Sequence, residues 1–232
     1  MKTDTQTPIK IDIVSDVACP WCYVGKRRLE QALAQWDGAP IEIEWHPYQL
    51  DPTMPSKGQT RDEYLGKKFG DLEKAKGMAD HLTTVGKEVG IDFDFGENWL
   101  AVNTLPLHQL LVIAGKEGFK DALKERFLKA YFVENLHLND IKVLESIMAE
   151  YHWEASKVHE VIHNKQLGKD VQKEIAHYQE MGVSGVPFFV INNKYGISGA
   201  QPADVFLDAF KQLSTLEETP EGEQCDVNGD NC

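Results

Sequence analysis

Residues 9–22 run Ile9-Lys10-Ile11-Asp12-Ile13-Val14-Ser15-Asp16-Val17-Ala18-Cys19-Pro20-Trp21-Cys22. Ile9, Ile11 and Ile13 alternate with polar residues and Val14 and Val17 extend the run, which predicts a strand from Ile9 to Val17 with a buried face. Cys19 stands where that strand ends. Pro20 then suits the first position of a helix, where a missing N–H is tolerated and a fixed φ helps. Leu29, Leu33 and Trp36 mark the apolar face of this helix, and Gly38 and Pro40 are placed to stop it. Ile41, Ile43 and Trp45 alternate with Glu42 and Glu44 and predict a second strand. Strand, helix, strand in succession is a βαβ unit, with parallel strands and a right-handed crossover.

Beyond it the pattern changes. From Arg61 to Met181 nearly every stretch has helical spacing: Leu123, Phe127 and Tyr131 mark one face, Ile141, Leu144, Ile147 and Met148 another, and Leu105, Leu110 and Leu111 a third. Residues 90–99 interrupt it, with Ile91, Phe93 and Phe95 alternating with acids. After Gly182, Gly185 and Pro187, a hairpin is expected from Phe188 to Ser198, turning at Asn192 and Asn193. Pro202 opens a last helix through Leu213. The expected class is therefore α/β, with a first core segment at 1–58, a helical insertion at 59–181, a second core segment at 182–216 and an acidic tail at 217–232. The tail lacks aromatic residues and is expected to be mobile.

The 232 residues are 42% hydrophobic and 26% charged, the range of a folded globular chain. A net charge of −13 disfavours nucleic acid and anionic membrane surfaces as partners. The opening MKTDTQTPIK holds no apolar run of a secretory signal, so the expected address is the cytoplasm. In a reducing compartment static disulfides are rare, and the four cysteines are expected to be catalytic, redox-sensing or metal-binding.

Two motifs compete to carry chemistry. In Cys19-Pro20-Trp21-Cys22 the first sulfur sits at a helix N-terminus, where the helix dipole and free N–H groups favour a thiolate. Cys22 lies one turn on, close enough to close a disulfide with it. One sulfur can attack and the other resolve, as thiol–disulfide exchange requires. On position, Cys19 is expected to be the more acidic and more exposed thiol. Trp21, between them, is a candidate contact for an apolar substrate, and Asp16 reads as a turn residue. The second motif, His159-Glu160-Val161-Ile162-His163, matches a zinc-peptidase signature, but Gln166 and Lys169 stand where a further glycine and a third histidine would complete it. The alternative is a surface helix that buries Ala155, Val158 and Ile162 and leaves the histidines at its margin. No metal or cofactor is assigned.

Several stretches together carry a resemblance: Ser15-Asp16-Val17 ahead of CPWC, Trp45 to Pro52, Asn103-Thr104-Leu105 with His108, and Gly182 to Pro187. Over almost its whole length the chain resembles the DsbA family of thioredoxin-like proteins, in particular its FrnE-like cytoplasmic branch. The resemblance implies a thioredoxin-like fold with an all-helical insertion, Cys19 as nucleophile, Cys22 as resolving thiol, and Pro187 as a cis-proline facing them. It implies a protein disulfide oxidoreductase or isomerase whose partner is a thiol- or disulfide-containing protein or small molecule, glutathione included. The same superfamily holds 2-hydroxychromene-2-carboxylate isomerases and kappa-class glutathione transferases, which typically carry serine in place of Cys19. A binding module with idle cysteines is a third class.

Val186 is expected to offer backbone groups to an extended substrate. Asn103 and His108 either face a groove above Cys19 or serve as a helix cap and a half-buried histidine. Cys225 and Cys232, in the tail, are expected to form an accessory redox pair. FrnE-like proteins resemble this in carrying a C-terminal cysteine pair, usually more tightly spaced. A calcium loop at Asp226, Asn228 and Asp230 fails because the chain lacks its twelfth-position glutamate.

Overall fold

The structure, a computed structural model, describes residues 7–70, 72–96 and 98–217. Strand β1 (Ile9–Ser15), helix α1 (Pro20–Leu33) and strand β2 (Ile41–Pro47) form the βαβ unit, with β1 and β2 parallel and Ile9 opposite Ile41. Strands β5 (Phe188–Ile191) and β6 (Tyr195–Ser198) form the hairpin, and β5 pairs antiparallel with β1. The sheet order is β2-β1-β5-β6. Asn192 and Asn193, in the three-residue connection between Ile191 and Tyr195, both take positive φ, which asparagine tolerates, and the Lys194 N–H closes the turn on the Ile191 carbonyl at 3.0 Å.

Helices α1 and α9 (Ala203–Glu217) pack together, and with the sheet they bury Ile11, Ile13, Leu29, Phe189, Phe206 and Phe210. Each such side chain contributes about 1.5–3 kcal/mol by leaving water. The second core lies in the helices between β2 and β5: α2 (Arg61–Phe69), α3 (Leu72–Glu88), α4 (Leu105–Lys116), α5 (Lys120–Phe132), α6 (Ile141–Ala149), α7 (Ala155–His163) and α8 (Lys165–Glu180). Tyr23 and Val24 of α1 pack into this core while Leu29 and Ala32 pack into the other, so α1 is shared by both.

Four details differ from the pattern. The insertion is not wholly helical, because β3 (Gln59–Thr60) and β4 (Leu100–Ala101) form a small antiparallel sheet. Ile43 is 38% exposed, since β2 is an edge strand covered only toward its end, where Trp45 is buried. Helix α1 stops at Leu33, and the Trp36 indole folds back over Gly38 to donate to the Ala39 carbonyl at 2.8 Å. On α7 the buried residues are Val158 and Val161, with Ile162 half-buried and Ala155 exposed. No helix among the described residues is long and apolar enough to cross a membrane.

Candidate active site

Cys19 is the N-cap of α1 in extended conformation, and Pro20 opens the helix. The Cys22 N–H donates to the Cys19 carbonyl at 3.0 Å, which sets both side chains on the first turn. Both cysteines are free thiols and both are buried, at 4% and 1% exposure. Cys19 lines a cavity of about 330 Å³ together with Trp21, Tyr64, Trp99, Phe132 and Val186, and Cys22 does not line it. Access is thus what distinguishes the two sulfurs. Arg61 and Lys68 stand on the wall of this otherwise apolar space, with Lys68 donating to the Tyr64 hydroxyl. Trp21 is half-buried and tilts against the His81 ring at 5.9 Å.

The loop before β5 closes the site from the other side. The Val186–Pro187 peptide is cis, and the Cys19 thiol donates to the Val186 carbonyl at 3.4 Å. Gly25 makes this approach possible: a Cβ there would lie 2.9 Å from the Pro187 ring and 3.3 Å from Phe189.

Behind the sulfurs is a buried polar layer that the motif alone did not reveal. Asp16, at 1% exposure, accepts from the Leu50 N–H at 2.8 Å and lies 3.2 Å from His108 Nε2. It also accepts from the Ala18 N–H at 3.4 Å, so it is both the expected turn residue and a buried charge. Burial alone would raise its carboxyl, yet His108, the Leu50 N–H and Lys124 hold it below the usual range. Lys124, in α5, is buried and donates to the Ser15 carbonyl at 3.4 Å. The Ser15 hydroxyl is buried without a hydrogen-bond partner.

The two sulfurs lie on the same turn and each affects the ionisation of the other. Contact with Cys22, then burial, push Cys19 well above the ordinary thiol value. Cys22 is lowered: burial opposes ionisation, but the Cys19 S–H, the Lys124 charge, the Ser15 hydroxyl and the Asp16 backbone outweigh it. Cys19 is not an exposed thiol, although the cavity reaches it and not Cys22. The nearby cation favours charge on Cys22, while ionised Asp16 disfavours it on Cys19.

Asn103 and His108 do not line the cavity. Asn103, one residue before the Thr104 N-cap of α4, accepts from the Leu105 N–H at 3.0 Å and donates to the Met54 carbonyl at 2.7 Å. His108 is 2% exposed and donates to the Tyr48 carbonyl at 2.8 Å. Cys225 and Cys232 lie outside the described residues.

On α7 both histidines are exposed; His159 contacts Glu145 at 2.8 Å and His163 donates to the His159 carbonyl at 2.9 Å. Among the described residues, three metal-ligand side chains gather only at Asp12, Glu44 and His46. There the Lys10 ammonium, 3.2 Å from Asp12 and 3.6 Å from Glu44, already supplies the positive charge.

A DSBA-like thioredoxin domain matches residues 10–211. The uncharacterized protein YwbO of Bacillus subtilis is 27% identical over 212 residues, which are 87% of this chain and 96% of that one. The crystal structure of a probable DsbA oxidoreductase, SCO1869 of Streptomyces coelicolor, superposes with a TM-score of 0.83 at 32% identity, covering 95% of this chain and 97% of the other. The fold also matches a 2-hydroxychromene-2-carboxylate isomerase (TM-score 0.71, 16% identity, covering 90% and 97%). It likewise matches the cytosolic disulfide reductase DsbM of Pseudomonas aeruginosa with GSH (0.61, 17%, 88% and 98%).

Proposed function

The chain belongs to the DSBA-like thioredoxin domain family, and from that membership we propose that it exchanges disulfides through Cys19 and Cys22. The observation that carries this reading is the Cys19 sulfur, which opens onto the cavity with a second free thiol in contact behind it. In the reductive direction the Cys19 thiol gives up its proton, and the Cys19 thiolate attacks a substrate disulfide. One substrate sulfur leaves as thiolate and a mixed disulfide forms. Cys22 then loses its proton and attacks Cys19 Sγ, closing the Cys19–Cys22 bond and expelling the second substrate sulfur. The substrate gains two electrons and the protein loses two; the oxidative direction is the same sequence reversed.

The surroundings give each neighbour a role. The Val186 carbonyl, released when the Cys19 thiol gives up its proton, is placed to pair with an extended backbone, and the Pro187 ring holds that segment against α1. Trp21 and the cavity receive an apolar group beside the reacting sulfur. We assign Asn103 and His108 to support: one ties the start of α4 to the Met54 carbonyl, the other fixes Asp16. Substrates are thiol- or disulfide-containing proteins or small molecules, with glutathione as the reducing partner, and the cytoplasm is the expected place of work.

The test is turnover with a protein disulfide and with a small disulfide, using single serine variants. Cys19→Ser falls to background, and Cys22→Ser accumulates a mixed disulfide through Cys19. Full turnover in Cys19→Ser, or trapping through Cys22, overturns the assignment. The compact apolar cavity with Arg61 on its wall favours one rival, a glutathione-dependent isomerase acting on a small acid. That enzyme needs no second sulfur, so undiminished turnover in Cys22→Ser would select it. A binding module would keep its activity in the double serine variant.

A further inference from the structure

Helices α2 and α3 each turn one face to the cavity beside Cys19. Arg61, Tyr64, Leu65 and Lys68 line it from α2 at helical spacing, and a matching face of α3 lines it from Ala75 to Leu82. The Tyr64 and Trp99 rings, with centroids 5.9 Å apart, make part of its wall, and Phe132 adds a third ring. At about 330 Å³ the cavity has the size of a small-molecule site, and its aromatic lining suits a flat apolar body.

The polar side chains on this wall are donors, and among the described residues no acidic side chain lines it. Arg61 is half-buried and has no ion-pair partner among the described residues, whereas the exposed Lys68 donates to the Tyr64 hydroxyl at 2.8 Å. Trp99 is 9% exposed, and its indole N–H is the one buried polar atom on a lining side chain that lacks a hydrogen-bond partner among the described residues. Leaving such a donor unmet costs free energy, which an acceptor oxygen on a ligand removes. In a chain of net charge −13, an unpaired guanidinium on an apolar wall selects for an anion. An ammonium would find no carboxylate there, so a zwitterion such as glutathione reaches Cys19 as a reductant without filling this space. We propose that the cavity takes, as the substrate of exchange at Cys19, a small disulfide with an aromatic body and a carboxylate, and that Arg61 determines this specificity by pairing with the carboxylate.

The inference rests on the redox role of the pair. The Cys19 sulfur bonds to one aryl sulfur, the aryl S–S bond breaks, and the other half leaves as a thiolate. Cys22 then bonds to Cys19 and expels the aryl thiolate that remained. The substrate takes two electrons and two protons from the dithiol and becomes two aryl thiols. For a further round, two glutathione thiols return both to the protein and leave as glutathione disulfide.

Binding is measured first, with thioethers that cannot exchange. Calorimetry on the reduced wild-type chain is expected to show para-(methylsulfanyl)benzoate binding about tenfold more tightly than its carboxamide, the scale of one hydrogen bond to a charged group. Methylsulfanylpropanoate, which keeps the acid and lacks the ring, is expected to bind more weakly than the benzoate. In Arg61→Gln the affinities for acid and amide converge, and Arg61→Lys, which keeps the charge but not the planar fork, recovers part of the difference. A merely structural arginine would change both affinities alike and leave their ratio intact. Exchange is measured next, in glutathione-driven turnover: bis(para-carboxyphenyl) disulfide is expected to show a lower KM than its bis-carboxamide, a preference that Arg61→Gln loses. Equal binding of acid and amide to the wild type, an unchanged ratio in a folded Arg61→Gln, or propanoate binding as tightly as benzoate overturns the proposal. Arg61-dependent binding of the acid without any exchange would overturn the redox reading and leave the ligand class standing.

Discussion

The N-terminus of α1 and the surface of α7 each present two potentially reactive side chains one helical turn apart, and the fold treats them in opposite ways. Cys19 and Cys22 are buried against three other segments: the end of β1, the loop at Pro187, and α5 with its lysine. His159 and His163 face solvent, and their recorded polar contacts are Glu145 and their own backbone. Spacing alone gives the two pairs equal standing. What separates them is convergence: chemistry needs groups from distant parts of the chain to meet at the pair, and only the sulfurs have them.

The largest effect tied to that convergence is expected from Asp16, which the interior leaves no replacement for. Asp16→Ala strands the Leu50 N–H and His108 in a dry site, at a cost of about 3 kcal/mol. The sign with pH follows from its carboxyl being held below the ordinary carboxylate value. Such a group contributes its full stability above about pH 4 and loses it as pH falls through the lower folded value. Denaturant unfolding of the two proteins should therefore show a constant gap near neutral pH that narrows in acid. A gap that stays constant through the acid range would mean that the charge does not matter.

A smaller effect is expected where backbone approach, rather than charge, builds the site. Gly25→Val forces the Pro187 ring or α1 to move, because even a Cβ would sit 2.9 Å from that ring. Overpacking of this kind costs about 1–3 kcal/mol. Turnover should fall along with stability, since Val186 moves away from Cys19. Unchanged turnover in a destabilised variant would dissociate the loop from catalysis.

The same contrast explains what the sequence disclosed. Ile9 to Trp45 and Phe188 to Ser198 were legible because strand alternation, a helix-opening proline and an Asn-Asn turn are local codes. The sulfurs were legible for the same reason. Their electrostatic surroundings were not, because Asp16 and Lys124 reach them through tertiary packing. Lys124 had a signal that went unused: it precedes Phe127 and Leu128 at helical spacing and so lies on the buried side of α5. Gly25 had one too, since a glycine inside a helix costs about 1 kcal/mol and asks for a reason. Asn103 and His108 carried ambiguous signals, and the structure places neither on the wall of the cavity.

The smallest effect belongs to the other side of the comparison. Replacing both His159 and His163 by alanine removes one contact to Glu145 and one bond to backbone, all at the surface of α7. Substitutions of this kind usually stay within about 0.5 kcal/mol. Zinc should not raise the melting temperature of the wild-type chain through these residues, because among the described residues they gather no third ligand atom. Thermal unfolding with and without zinc, in both proteins, decides the matter. A zinc-dependent rise that disappears in the double variant would show that the motif assembles a site after all, and convergence would then not be what separates the two pairs. With no such rise, the α7 histidines are surface residues, and turnover at Cys19 is the same with or without them.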